Sequence, residues 1–204
     1  MEKEVYLTLK YNSKARWLSY WYQVSGTLEV SPRSVLIVGK GSGIVEGSIR
    51  QLSNGRIEIK TLDINPALNP DIIGNVTNIP FGDGSFDVGI CCQVLEHLSF
   101  DKFGVALGEL HRVIRSRVIL SLPHKRKHLK IAIKAPFIGE KTIIIKHPLT
   151  VKHCTSKQHY WEIARGVTKR QVVKEIKRFF DIEKEFLNEI NCEHRFFILK
   201  KRED

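Results

Sequence analysis

The chain has no long apolar run. Nothing in its 204 residues approaches the roughly 20 consecutive apolar residues that span a bilayer. Met1 to Lys10 is charged and lacks the apolar stretch of a secretory leader. The expectation is a soluble, cytoplasmic protein. Cysteine is scarce. Cys91 and Cys92 are adjacent inside an apolar run, and Cys154 and Cys192 stand far apart, a pattern that excludes a disulfide framework. His147, His153, Cys154 and His159 fall near one another without the paired spacing of a zinc site, so no metal is expected. Internal repeats and low-complexity linkers are also missing. One domain is the simplest organisation, with 1–30 as an N-terminal helical segment and 124–166 as an inserted one.

Acidic residues are nearly absent from His111 to Lys157, where basic residues are dense and peak at His124-Lys125-Arg126-Lys127-His128. The whole chain carries a formal net charge of +11 and a sequence pI near 9.6. A bias of this size favours an anionic partner, against the plain alternative of a solvated surface. The rest of the composition is ordinary for a globular protein, with 42% hydrophobic and 27% charged residues.

Read in order, Asn12 to Ser25 is an aromatic-rich helix with Trp17, Tyr20, Trp21 and Tyr22. Val35 to Val38 is a short run of apolar residues only, as a central parallel strand buried on both faces requires. Gly39-Lys40-Gly41-Ser42-Gly43 follows at once, then a helix over Ile44 to Leu52 that Ser53-Asn54-Gly55 ends. Arg56 to Leu62 is a second strand closed by Asp63. Pro66 to Gly74 is irregular, with at most a short strand at Ile72-Ile73. Phe86 to Cys92 is a strand, Phe103 to Ile114 a helix, and Arg117 to Leu122 a strand stopped by Pro123. Two successive β-α-β units imply a doubly wound parallel sheet. Beyond Pro123, Leu129 to Ala135 and Lys141 to Lys146 form a hairpin beside the sheet. Thr168 caps a helix over Lys169 to Phe179, and strands at Phe180 to Leu187 and Arg195 to Lys200 close the domain.

A strand that ends in a glycine-rich turn before a helix is a ligand-binding device, because glycine permits tight turns and close approach of a ligand to the main chain. The glycines here are Gly39, Gly41 and Gly43, and Ile44 stands where a dinucleotide motif places its third glycine. A dinucleotide oxidoreductase therefore fails on spacing. Asp63, at the end of the next strand, is placed to accept hydrogen bonds from two ribose hydroxyls.

The ordered set resembles the class I S-adenosylmethionine-dependent methyltransferases. It runs Val35-Leu36-Ile37-Val38-Gly39-Lys40-Gly41-Ser42-Gly43, then Leu62-Asp63-Ile64, then Gly74-Asn75-Val76-Thr77-Asn78-Ile79-Pro80-Phe81. Phe86-Asp87-Val88 and Val94-Leu95-Glu96-His97-Leu98 complete it. The resemblance implies a Rossmann-like α/β fold, doubly wound and mostly parallel, with a closing antiparallel strand and an inserted cap segment. It implies S-adenosyl-L-methionine as cofactor, with Gly39, Gly41 and Gly43 along its methionine part and ribose. Asp63 would hold the ribose hydroxyls, Ile64 would pack on the adenine, and Asn75 and Val76 would lie at the adenine edge. Gln93 would lie near the sulfonium. Two positions depart from the family. Ile37 stands where an acid is frequent, and Asn75 where Asp is frequent; an Asn carbonyl oxygen still accepts from an adenine amino group, without charge assistance.

Methyl transfer leaves the protein to supply position, desolvation and, for some acceptors, a base. His97 and His159 are the candidates for the base. Tyr160, Trp161 and Glu162 form, with His159, a string similar to one in methyltransferases of glycan and sugar gene clusters, suited to a sugar ring. Lys125, Arg126 and Lys127 would anchor anionic groups. The acceptor these residues imply is a small molecule, a sugar or glycan precursor with anionic groups. The alternatives are an RNA methyltransferase, favoured by charge but lacking an RNA-binding motif, and a non-catalytic S-adenosylmethionine-binding protein, favoured by Ile37 and Asn75. The acceptor's identity and the oligomeric state are not legible in the sequence.

Overall fold

The computed structural model describes residues 3–124, 128–135, 139–146 and 158–202, with only the backbone described for 128–135 and 139–146. In chain order its elements are α1 (Lys3–Tyr6), α2 (Lys14–Leu28), β1 (Ser34–Val38), α3 (Ile44–Leu52), β2 (Glu58–Asp63), β3 (Ile72–Ile73), β4 (Phe86–Cys92) and α4 (Phe100–Val113). Then follow β5 (Ile114–Pro123), β6 (His128–Ala135), β7 (Gly139–Lys146), β8 (Glu162–Ile163), β9 (Gly166–Val167), α5 (Lys169–Ile176), β10 (Phe180–Leu187) and β11 (His194–Lys201). Among the described residues no helix is long and apolar enough to cross a membrane.

Seven strands form one sheet in the order β10-β11-β5-β4-β1-β2-β3. β1 pairs in parallel with β2 on one side and β4 on the other, and β4 pairs in parallel with β5. Only β11 runs against its neighbours, antiparallel to both β5 and β10. This is the expected Rossmann-like doubly wound sheet with its closing antiparallel strand. β6 and β7 pair antiparallel with each other in a sheet of their own.

Every residue of β1 is buried because the sheet is covered on both faces. The period-2 alternation of a strand splits its side chains between two core layers. Leu36 and Val38 join Leu120, Leu122, Phe197 and Leu199 in the layer under α4 and α5. Val35 and Ile37 join Ile119, Phe196 and Ile198 in the layer under α2 and α3. The helix after β1 therefore packs on one face and the helix after β4 on the other. The crevice between the carboxyl ends of β1 and β4 is a topological switch point, where open α/β sheets bind ligands.

Three boundaries differ from the sequence reading. Ile114 belongs to β5, paired with Phe86, and α4 ends at Val113 with no loop between helix and strand. With no Gly or Pro at the junction, an apolar run offers nothing to mark the change of period. α5 stops at Ile176, because Arg178 and Phe179 donate to carbonyls three residues back and tighten the chain out of the α-helix. Thr168 does cap it, in a reciprocal capping box with Gln171. α2 runs from Lys14 to Leu28 and is anchored by a buried polar chain. Asn188 Nδ2 donates to Ala15 O (3.0 Å) and Ser19 Oγ (2.7 Å), and Ser19 Oγ lies 3.0 Å from His194 Nδ1.

Candidate active site

A cavity of about 750 Å³ opens at the carboxyl ends of β1, β2, β4 and β5, within the range of small-molecule and cofactor sites. The glycine loop forms one wall. Gly39 has φ +83, and a Cβ there would stand 2.4 Å from Val94 Cγ2, so the fold itself demands glycine. Gly41 has φ +55, and a Cβ there would meet no atom of the described residues closer than 3.9 Å, on Tyr6. Its neighbourhood is open cavity, so the space a side chain would take is space available to a ligand. The loop is stitched to β2 by Gly39 N to Leu62 O (2.8 Å) and Lys40 N to Asp63 Oδ2 (2.9 Å). These bonds order the loop without an acid at Ile37, which is buried and lines the cavity as an apolar residue.

Asp63 is half-buried at the end of β2. Each of its oxygens accepts one backbone N–H, Oδ2 from Lys40 and Oδ1 from Asn65 (2.9 Å). A carboxylate accepts about four hydrogen bonds, so capacity for two hydroxyls remains. Ile64 beside it is 69% exposed, an unusual position for an isoleucine and a ready apolar platform. Val76 is buried in the cavity wall. Asn75 lines the cavity, but its Oδ1 is committed to Thr77 N and Thr77 Oγ1, both at 3.0 Å. That corrects the expectation that Asn75 would accept through this oxygen; the group it offers a ligand is the Nδ2 donor. Gln93 follows β4 with φ +57, a strained value for a non-glycine residue, held by Gln93 N to Ser121 O (2.9 Å) and Nε2 to Ser121 Oγ (3.2 Å).

Beyond Gln93 a 3₁₀ turn over Leu95–His97 delivers two polar side chains to the cavity. Glu96 is fully buried, and neither carboxylate oxygen has a hydrogen-bond partner in another described residue. Burial away from water, reinforced by the nearby Glu162 carboxylate, pushes its pKa up to about 8. His97 stands edge-on to His159, ring centroids 4.9 Å apart. Burial, with His159 adding to it, holds the His97 pKa below the usual imidazole range, opposed by a bond from its Nδ1 to Gln158 O (2.9 Å). His159 Nδ1 lies 2.7 Å from Glu162 Oε1, and Glu162 is fully buried, its Oε2 without a hydrogen-bond partner among the described residues. The fold thus draws His97 and His159 together from distant parts of the chain, with Glu162 behind His159.

The neighbours of Glu162 do not follow the sequence reading. Trp161 is a core residue. Its indole packs on Phe100 and Phe103, its Nε1 donates to Leu98 O (3.0 Å), and it is 3% exposed, so its ring is not available to stack on an acceptor. A buried indole with a satisfied N–H carries the same sequence signal as a ligand platform. Tyr160 is 72% exposed and lies outside the cavity lining. Lys125, Arg126 and Lys127 lie outside the described residues, as do His147, His153 and Cys154.

Two features escaped the sequence reading. The first is the N-terminal segment, which contributes Tyr6, Tyr11, Arg16 and Tyr20 to the cavity. Asn12 ties it down, donating to Tyr6 O (2.7 Å) and accepting from Tyr20 Oη (2.8 Å). Burial pushes the Tyr11 phenol up to about 12. The second is Glu96, which the sequence reading placed in the Val94 to Leu98 stretch without giving it a role.

Residues 36–122 match the family described as the methyltransferase domain. Over 83 residues the chain is 31% identical to an uncharacterised protein of Methanocaldococcus jannaschii. That stretch covers 40% of this chain and 33% of the other, so the chain spans about a third of the length of the curated relative it matches. A protein of Pyrococcus horikoshii OT3 is similar in fold, with a TM-score of 0.64 at 12% identity, over 99% of this chain and 100% of that one. So is the N-methyltransferase NodS of Bradyrhizobium japonicum WM9, in complex with S-adenosyl-L-homocysteine, with a TM-score of 0.62 at 7% identity, over 94% of this chain and 89% of that one. At these identities the likeness is one of fold. The family match falls on the glycine loop, Asp63, the Asn75 segment and β4, and together with the fold it supports a class I S-adenosylmethionine-dependent methyltransferase.

Proposed function

We propose that this protein transfers a methyl group from S-adenosylmethionine to a small acceptor with anionic groups, such as a sugar or glycan precursor. The supporting observation is one continuous cavity bearing the glycine loop and Asp63 on its β2 side and Gln93, His97 and His159 on its β4 side. The residues present fit the cofactor. Asp63 keeps acceptor capacity for the ribose hydroxyls, Ile64 offers an apolar surface to the adenine, Asn75 Nδ2 a donor to its edge, and the open space at Gly41 admits close approach to the main chain. When bound, the cofactor supplies an electrophilic methyl on sulfur. The protein's own task is to hold the acceptor in line beside Gln93 and to exclude water, with the N-terminal tyrosines covering the crevice. Removal of a proton from the acceptor falls to the His97 and His159 end of the cavity.

The anionic character of the acceptor rests on the basic run around Lys125, Arg126 and Lys127, which would also suit RNA. Labelled-methyl transfer from S-adenosylmethionine, screened over sugar nucleotides, glycans and RNA, tests the reading. Label in the sugar-containing acceptors supports it. Label in RNA alone assigns the alternative acceptor, and cofactor binding without any transfer assigns a non-catalytic binding protein.

A further inference from the structure

Glu96, His97 and His159 each bring one ligand atom to within 4.8 Å of the others. Donors bound to one first-row cation at about 2.1 Å stand roughly 3–4 Å apart, so small rotamer changes would close the set. Side-chain chemistry independently prepares both imidazoles. Gln158 O can only accept, so His97 Nδ1 is its proton-bearing nitrogen and Nε2 keeps the lone pair. His159 Nδ1 is likewise committed to Glu162, which leaves its Nε2 as the basic nitrogen. A metal-ligating histidine nearly always donates its other ring N–H to a backbone carbonyl or a carboxylate, and the two histidines show one case each.

The charge arrangement points the same way. Among the described residues, Glu96 Oε1, Glu96 Oε2 and Glu162 Oε2 are buried with no hydrogen-bond partner in another residue. A buried carboxylate that lacks partners is costly; here Glu96 lines the cavity with both oxygens in that state, and Glu162 lines it with one. Arg16, whose charge reaches Glu96, lies instead over the Tyr11 ring, 4.0 Å from its centroid. A cation held beside the two imidazoles would satisfy the Glu96 carboxylate.

We propose that Glu96, His97 and His159 form a binding site for a divalent first-row transition-metal cation, with Glu162 as the positioning residue that orients His159. Two imidazoles and one carboxylate suit Mn²⁺, Fe²⁺, Co²⁺ or Zn²⁺ better than Mg²⁺ or Ca²⁺, which prefer oxygen alone. Three protein ligands leave positions open. On the methyltransferase reading above, on which this last step rests, those positions face the acceptor and select one with oxygen donors, a hydroxyl or a diol. With both Nε2 atoms on the cation, the histidines hold the acceptor through the ion.

Titration of the full, metal-stripped chain with Co²⁺, followed by its visible ligand-field absorption, tests the site without recourse to activity. Bands that saturate at one ion per chain are expected. Glu96→Gln and His159→Asn should abolish them while far-UV circular dichroism stays unchanged, and Glu162→Gln should weaken Co²⁺ by about 10- to 100-fold. Asp63→Asn should leave the bands intact, so a failure of cofactor binding is distinguishable from a failure of the metal site. If His159→Asn does not fold, His97→Asn serves in its place. Absence of saturable bands in the wild type, or bands that persist in folded Glu96→Gln, would overturn the proposal.

Discussion

Asp63→Asn separates the ligand-binding duty of this side chain from its structural one. The carboxylate holds two backbone donors, Lys40 N on Oδ2 and Asn65 N on Oδ1, and retains acceptor capacity for two hydroxyls. Asn keeps one oxygen and turns the other position into a donor. Each lost hydrogen bond to a charged group is worth about 1.5–3 kcal/mol. At about 1.4 kcal/mol per tenfold, the loss of one such bond weakens S-adenosyl-L-homocysteine by about 10- to 150-fold. One backbone N–H also loses its acceptor. The site is half-buried and water can replace part of the bond, so the stability cost should be about 1 kcal/mol, a shift of roughly 2–4 °C in Tm for a chain of this size. Calorimetric titration at fixed pH, paired with thermal unfolding, reads both quantities. A mutant that loses the predicted stability but binds the ligand with an unchanged Kd would refute the reasoning, because Asp63 would then serve only the loop.

Gly41→Val should lower stability by about 1–2 kcal/mol, since φ +55 is unfavourable for a β-branched residue, and should abolish cofactor binding by filling the cavity; thermal unfolding and calorimetry on the same preparation check it. Arg112→Ala should cost about 2–3 kcal/mol and weaken cofactor binding. Its guanidinium ties Glu109 and Asp83 to the carbonyls of Ile79 and Phe81, the segment that follows Asn75 and Val76. The Arg112 hydrogen bonds hold the Glu109 carboxyl below its ordinary 4.5, so the unfolded state binds the proton first as pH falls. That stabilisation is fully present above pH 4.5 and lost as pH drops through the lowered value. Denaturant titrations from pH 3 to 7 should show this acid-side fall in the wild type and a shallower one in Arg112→Ala; superimposable slopes would contradict it.

The legible parts of the sequence were those where local chemistry has one solution. Val35 to Val38 can only be a strand buried on both faces, and Gly39, with its positive φ and Val94 against it, explains why the run stops there. The bounds of α3 were marked at both ends, by Gly43 and by Ser53-Asn54-Gly55, and the structure keeps them. The position of Asp63 was legible, since it closes β2, and the structure places it in the cavity lining. What stayed hidden depends on contacts between distant segments. His97 and His159 are neighbours only because the chain returns after the β6–β7 hairpin to lie along the 3₁₀ turn, Tyr160 N bonding to Glu96 O (2.9 Å). The fate of Trp161 turns on whether Phe100 and Phe103 reach it, which no spacing reveals. The tyrosines of the N-terminal segment show the same ambiguity in reverse, since an aromatic stripe reads equally as core or as cavity wall.

The central claim is that this crevice holds S-adenosylmethionine. Isothermal titration of the full chain with S-adenosylmethionine, S-adenosyl-L-homocysteine and NAD tests it most directly. The account predicts one site per chain for the two sulfur ligands, weakened in Asp63→Asn and lost in Gly41→Val, and no binding of NAD. Binding of NAD in place of the sulfur ligands would contradict it.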